Sequence, residues 1–137
     1  MKTIGIIGSR RRTLKEDYNQ LEQKFLEIFK NGDEIVSGGC SRGADFWAEI
    51  LAKKYQVPIK IYYAQWDKLG KSAGFARNTY IAQDADVLIC MVSNDRLGGT
   101  ENTIKTAKKL GKKIILLEQT IEHPKQKDIV DEIIENM

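Results

Sequence analysis

The sequence predicts a three-layer α/β/α domain on a five-stranded parallel sheet of order 3-2-1-4-5, and three observations carry that expectation. Short apolar runs alternate with amphipathic stretches along the chain, as successive βα units require. One run, Val87 to Val92 (VLICMV), is unbroken apolar, which marks a central parallel strand buried on both faces. Another, Ile59 to Tyr63, alternates Ile59, Ile61 and Tyr63 with Lys60 and Tyr62, which suits an edge strand with one wetter face.

The elements follow in order. Thr3 to Gly8 (TIGIIG) is apolar up to its closing glycine and reads as the first strand. Leu14, Tyr18, Leu21, Phe25 and Phe29 recur every three or four residues, the signature of an amphipathic helix over Leu14 to Lys30. Asn31-Gly32 ends it, because both residues tolerate the left-handed backbone that closes a helix. Glu34 to Ser37 is the second strand and Ala44 to Tyr55 the second helix; Pro58 introduces the third strand, Ile59 to Tyr63. Ala64 to Ala73 reads as a loop before a helix over Gly74 to Gln83, with Ser72 as its N-cap. After the Val87 strand come a helix over Thr100 to Leu110 stopped by Gly111, a fifth strand over Ile114 to Leu117, and a closing helix over Lys125 to Asn136. Parallel βα units of this kind wind right-handed.

At 137 residues the chain has the length of one domain, expected to span 1–137. A composition 42% hydrophobic and 30% charged is that of a globular protein, and a net charge of +3 is a modest excess, where a dedicated duplex-DNA binder usually shows a clustered basic face. The only basic cluster is Arg10-Arg11-Arg12, of which Arg11 and Arg12 read as a solvated charge run. Cys40 and Cys90 are too few for a disulfide framework or a zinc site, and Cys90 belongs to the buried run. The one histidine, His123, lies in a polar segment and reads as a surface residue, so no metal site is expected. Without a signal peptide or a membrane-length apolar stretch, the expected location is the cytoplasm.

A parallel sheet of this order binds ligands beyond the strand C-termini where its winding reverses, here between the first and fourth strands. Gly8-Ser9-Arg10 lies at that crevice. Two glycine-rich loops each open a helix nearby: Ser37-Gly38-Gly39-Cys40-Ser41-Arg42-Gly43-Ala44-Asp45, and Leu97-Gly98-Gly99-Thr100-Glu101. Glycine allows close backbone approach and a helix N-terminus favours anions, so the pair points to a phosphate-bearing ligand. Neither G-x-G-x-x-G nor the full G-x-x-x-x-G-K-[ST] is present, since Gly70-Lys71-Ser72 has Gln65 where that loop needs its first glycine; this speaks against a dinucleotide dehydrogenase and against a P-loop NTPase.

Individual residues admit two readings each. Arg10 can pair with a phosphate or be a surface arginine. Asp45 can accept from ribose hydroxyls or be a first-turn acid favoured by the helix dipole. Trp66 can stack on a base or plug a loop. Arg77 and Asn78, just after Gly74, either add a third arginine-bearing helix N-terminus or face solvent. Glu101 is a candidate acid or a plain first-turn residue.

Gly8-Ser9-Arg10, IVSGG…RGAD over Ile35 to Asp45, W-x3-G-x3-G-x2-RN over Trp66 to Asn78, Asp86 to Ile89, and Gly99-Thr100 together resemble the YspA-like family of the SLOG superfamily. The likeness runs from Lys2 to Leu117, with one apparent extra residue in Gly39-Cys40-Ser41-Arg42-Gly43. It implies a Rossmann-like fold and a site for nucleotides or nucleotide-derived molecules such as ADP-ribose. Relatives include LOG-type phosphoribohydrolases and DprA-like DNA-binding proteins. Arg77 is similar to the LOG catalytic arginine, but aligning Gly99-Thr100 with the LOG glycine-threonine pair puts Thr103 where its glutamate stands.

Three functions therefore compete. The first is binding or sensing of a nucleotide-type small molecule, with no certain cofactor. The second is N-glycosidic hydrolysis using Arg77 with Asp45 or Glu101. The third, less favoured, is nucleic-acid processing through Arg10 to Arg12 and the lysines. The expected assembly is a homodimer, with no membrane partner.

Overall fold

The computed structural model describes residues 1–40 and 42–119, with the side chain of Lys71 left aside. The expected closing helix, His123 and Ser41 lie outside the described residues. The elements run β1 (Thr3–Gly8), α1 (Lys15–Ile28), β2 (Glu34–Gly38), α2 (Ala44–Tyr55), β3 (Ile59–Tyr62), α3 (Trp66–Leu69), α4 (Ala73–Asp84), β4 (Val87–Met91), α5 (Gly99–Lys109) and β5 (Lys113–Leu117).

All four strand pairings are parallel and the order is β3-β2-β1-β4-β5, as the hydrophobic patterning requires. β4 is buried at all five positions, and β3 lies at the edge. The period of two sorts each strand's side chains between two cores. Ile4, Ile6, Val87, Ile89 and Met91 pack with Leu21 and Phe25 of α1 and with Trp47, Ala48 and Leu51 of α2. Ile7, Leu88 and Cys90 pack on the other face, with Ile81 and Ala82 of α4 and Ile104 and Ala107 of α5. Helices thus cover both faces, and a five-stranded parallel sheet with this order is a Rossmann-like fold. Burial pushes the Cys90 thiol up to about 12, which leaves it a small core hydrophobe. Among the described residues no helix is long and apolar enough to cross a membrane.

Two local expectations are corrected. Ala64 to Ala73 is not an open loop: α3 and a 3-10 turn over Gly70–Ser72 fill it and run directly into α4. Ser72 consequently turns its hydroxyl backwards to donate to the Leu69 carbonyl at 2.7 Å rather than capping α4.

The arginine run is the larger correction. Arg12 is 1% exposed, not solvated. Its guanidinium bonds the Asp17 carboxylate at 2.8 and 3.0 Å, and it also donates to Gln20 and to the carbonyls of Val92 and Leu117. The other Asp17 oxygen accepts from the Leu14 N–H at 3.1 Å, at the start of α1. One buried ion pair therefore ties the β1 loop, α1 and the ends of β4 and β5 together. The sequence pattern hides this because the partner carbonyls are 80 and 105 residues away.

Candidate functional site

The crevice beyond the C-termini of β1 and β4 opens into a cavity of about 600 Å³. β1 delivers Gly8, Ser9, Arg10 and Arg11 to it, α2 contributes Asp45, and α3 and α4 contribute Trp66, Gly74, Phe75, Arg77 and Asn78. The loop after β4 and the start of α5 supply Asp95, Leu97, Gly98, Gly99, Thr100 and Thr103. Topology dictates this convergence, since β1 and β4 are neighbours whose following segments leave toward opposite faces.

The crevice floor is pinned by backbone. The Ser9 N–H donates to the Met91 carbonyl at 2.9 Å, prolonging the β1–β4 ladder by one step. The Ser9 hydroxyl accepts from the Arg11 N–H at 3.2 Å, and its carbonyl from the Arg12 N–H at 3.1 Å. Gly8 has no room for a side chain, because a Cβ there would stand 2.7 Å from the Ala44 Cβ and 2.8 Å from that of Met91.

The two glycine loops do different jobs. In the first, the missing side chains are replaced by protein. Gly39 lies under the Tyr63 ring, and Gly43, at φ +72°, brings its backbone so close to the Ser9 carbonyl that a Cβ would be 2.9 Å from it. Gly38, Gly39, Gly43 and Ala44 are outside the cavity lining, and among the described residues of this loop only Asp45 reaches the cavity. The second loop is open: a Cβ on Gly98 or Gly99 would meet nothing within 4 Å among the described residues. Gly98, at φ +115°, turns the chain into α5 and leaves that helix's N-terminus, with its partial positive charge, at the cavity.

Arg77 and Asp45 meet over Gly38. A Cβ there would lie 3.0 Å from Asp45 Oδ2 and 3.3 Å from Arg77 Nε, so both side chains use space that only glycine leaves free. Desolvation pushes the Asp45 carboxyl up to about 7, against the opposing pull of Arg77 and Arg10 and a 3.5 Å hydrogen bond from the Ser37 hydroxyl. Asp45 is therefore more than a helix-dipole acid.

Asn78 serves the architecture of the cavity. Buried on α4, it donates to the Gly99 carbonyl at 3.4 Å and to Asn102 Oδ1 at 3.1 Å, and its own Oδ1 accepts from Arg77 Nε at 3.4 Å. It thereby joins the second glycine loop to the arginine. Asn102 was missed by sequence reasoning, since nothing distinguishes an asparagine on a helix until its cross-helix partner is known. Thr103 is buried and lines the cavity, and its hydroxyl has no hydrogen-bond partner among the described residues.

Trp66 is 55% exposed, which rules out the buried loop plug. Its indole edge lies against Gly74, where a Cβ would stand 3.4 Å from Cζ-side carbon Cη2. With exposed Phe75 and Leu97 it gives the cavity an apolar rim. Glu101 is not part of the lining. Its carboxylate takes both prongs of Arg96 at 2.8 Å. Arg11 is likewise engaged, in a pair with Asp95.

Compared with protein-family models the sequence matches none, and it matches no curated protein. Its fold and much of its length are similar to a solved structure, that of the molybdenum cofactor binding protein from the phototrophic bacterium Rippkaea orientalis, at 25% identity and a TM-score of 0.64 over 86% of this chain and 77% of that one.

Proposed function

We propose that the cavity binds a nucleotide or nucleotide-derived small molecule, its phosphate between Arg10, Arg77 and the N-terminus of α5 and its flat base against Trp66. One observation carries this reading. Arg11, Arg12 and Arg96 each hold a carboxylate partner, whereas Arg10 and Arg77 have none among the described residues, and both face one cavity. Two guanidiniums without a carboxylate partner beside a helix N-terminus make an anion site. Arg42 also has no carboxylate partner among the described residues but stands outside the cavity lining. An exposed tryptophan and phenylalanine at its rim supply the apolar surface that an aromatic ring seeks. The resemblance to the YspA-like family of the SLOG superfamily points the same way. Pairing of Arg11 and Arg12 leaves only Arg10 of the basic run for nucleic acid, which counts against an accessory DNA-binding role.

The likeness to the molybdenum cofactor binding protein favours a second reading, in which the ligand is a molybdenum cofactor. That molecule also joins a phosphate to a flat ring system, so the same residues would hold those two parts. Among the described residues no group of three or more His, Cys, Asp or Glu stands together to ligate a metal.

The test is mass spectrometry of the denatured purified protein for a co-purified ligand, with molybdenum measured in parallel. Calorimetry with AMP and ADP-ribose accompanies it. A nucleotide in the extract, or saturable binding lost in Arg77→Ala, supports the first reading. Stoichiometric molybdenum with a pterin fragment moves the assignment to the second. No binding of either class at millimolar ligand overturns both.

A further inference from the structure

We infer that Asp45 is the specificity-determining residue of this cavity: sharing with Arg77 the space over Gly38, its carboxylate disfavours a bare inorganic dianion and accepts from a hydroxyl of a phosphate ester. The inference rests on the phosphate-ligand reading of the cavity and deepens it.

The geometry leaves Asp45 unusually unoccupied. It stands in the first turn of α2, partly buried, and lines the cavity. No ion pair within 4.0 Å joins it to Arg77 or Arg10 among the described residues, and its one hydrogen bond, from Ser37 Oγ, is 3.5 Å long. A carboxylate has about four lone-pair sites, so most of its accepting capacity is left for a ligand.

The surrounding charges decide what that ligand can be. Arg77 faces Asp45 from α4, Arg10 from the loop after β1, Ser37 from β2, and Glu49 from the next turn of α2. Arg11 and Asp95, also on the lining, neutralise each other. When Asp45 is ionised, the two free guanidiniums and the carboxylate carry one net positive charge. An inorganic dianion drawn to Arg77 must then approach a partly desolvated carboxylate, and repulsion in such surroundings is several times stronger than in water. A phosphate ester with neighbouring hydroxyls meets the same carboxylate with a donor. When Asp45 is protonated the repulsion is gone and the preference relaxes. Since its carboxyl is raised to about 7, both states are reached near neutral pH.

The full chain and its Asp45→Asn variant are titrated calorimetrically with sulfate, which stays a dianion across the working range, and with AMP and 2′,3′-dideoxy-AMP. In the wild type, sulfate affinity should rise roughly tenfold as the pH falls through 7, the size expected for losing one nearby charge. In Asp45→Asn it should be high and flat with pH. At pH 8 the preference for AMP over its dideoxy analogue, about tenfold in the wild type, should shrink in the variant. A gain in sulfate binding cannot arise from misfolding. Equal sulfate affinity in both proteins at pH 8 overturns the inference while leaving the binding site standing. An unchanged preference for AMP overturns the hydroxyl assignment. Failure of both proteins to bind any probe overturns the cavity reading itself.

Discussion

Arg11 and Asp95 meet across the crevice as a two-pronged ion pair, with both nitrogen–oxygen distances 2.6 Å. Arg11 belongs to the loop after β1 and Asp95 to the loop after β4, and the pair is closed by Ser93 Oγ, which accepts from Arg11 at 2.9 Å and donates to Asp95 at 2.8 Å. The hydrogen bonds from Arg11 and Ser93 hold the Asp95 carboxyl well below the usual range, so the pair is charged at any neutral pH. Exposed pairs contribute little to stability. Asp95→Asn should therefore leave the melting temperature nearly unchanged. It should also release Arg11 toward the cavity and tighten anion binding severalfold by calorimetry. Weaker binding would show instead that the pair holds the loops in place.

Arg12 is the opposite case. Removing it leaves Asp17, which is also buried, without its counter-charge, and frees the Val92 and Leu117 carbonyls. Breaking such a pair costs about 3–5 kcal/mol. Arg12→Ala should lose stability of that order in urea denaturation. Arg12→Met with Asp17→Leu should lose less than the two single changes summed, because no charge is then stranded.

The glycine loops predict a double dissociation. Gly99→Val places a side chain in open space at the cavity, so stability should change by less than about 0.5 kcal/mol while ligand affinity falls at least about tenfold. Gly43→Ala puts a Cβ against the Ser9 carbonyl at φ +72°, and should cost about 1–3 kcal/mol in thermal or chemical unfolding. Comparable stability losses in both variants would defeat the division between an open loop and a packed one.

Asp45 also makes stability depend on pH. Its folded carboxyl titrates at about 7 against an unfolded value of 3.8, so between those values the folded state holds a proton that the unfolded state has released. Stability thus falls as pH rises from the lower value to the higher, and the full penalty is present above it. Asp45→Asn should stabilise the protein at pH 8, by on the order of 1–3 kcal/mol after allowing for partial exposure, and should be neutral near pH 4. Denaturation curves at both pH values decide it; equal effects would remove the linkage.

Release of base from AMP should be slow. Cleaving the N-glycosidic bond develops positive charge on the sugar, and Thr103 stands where the resemblance expects a carboxylate. The missing group is worth about a hundred- to ten-thousand-fold in rate. Glu101 is held by Arg96 and cannot replace it. Thr103→Glu should raise hydrolysis measurably above the wild type, whereas Asp45→Asn should not abolish a reaction that is barely present. Rapid wild-type turnover lost in Asp45→Asn would make the protein an enzyme with Asp45 as its acid.

Much of the architecture was legible in the sequence because it rests on periodicity. The apolar run at Val87, the alternation at Ile59 and the spacing of Leu14 to Phe29 are local patterns with one inexpensive way to be buried, and sheet order and crevice follow from them. The second glycine loop and Arg10 follow strand C-termini, so the same strand order puts them at the crevice, whereas Arg77 is singled out by the family resemblance and not by periodicity.

What the tertiary structure alone decided is which side chains are already taken. Arg10, Arg11 and Arg12 are adjacent and chemically identical. Yet one is buried against Asp17, one is paired across the crevice with Asp95, and one is left with no carboxylate among the described residues. Likewise Gly39 and Gly99 look alike in their loops, but a tyrosine ring fills the space beside the first and no described residue fills it beside the second. A residue's type and local spacing set what it can bind. Only partners brought from distant parts of the chain determine whether that capacity is spent inside the fold or remains open to a ligand.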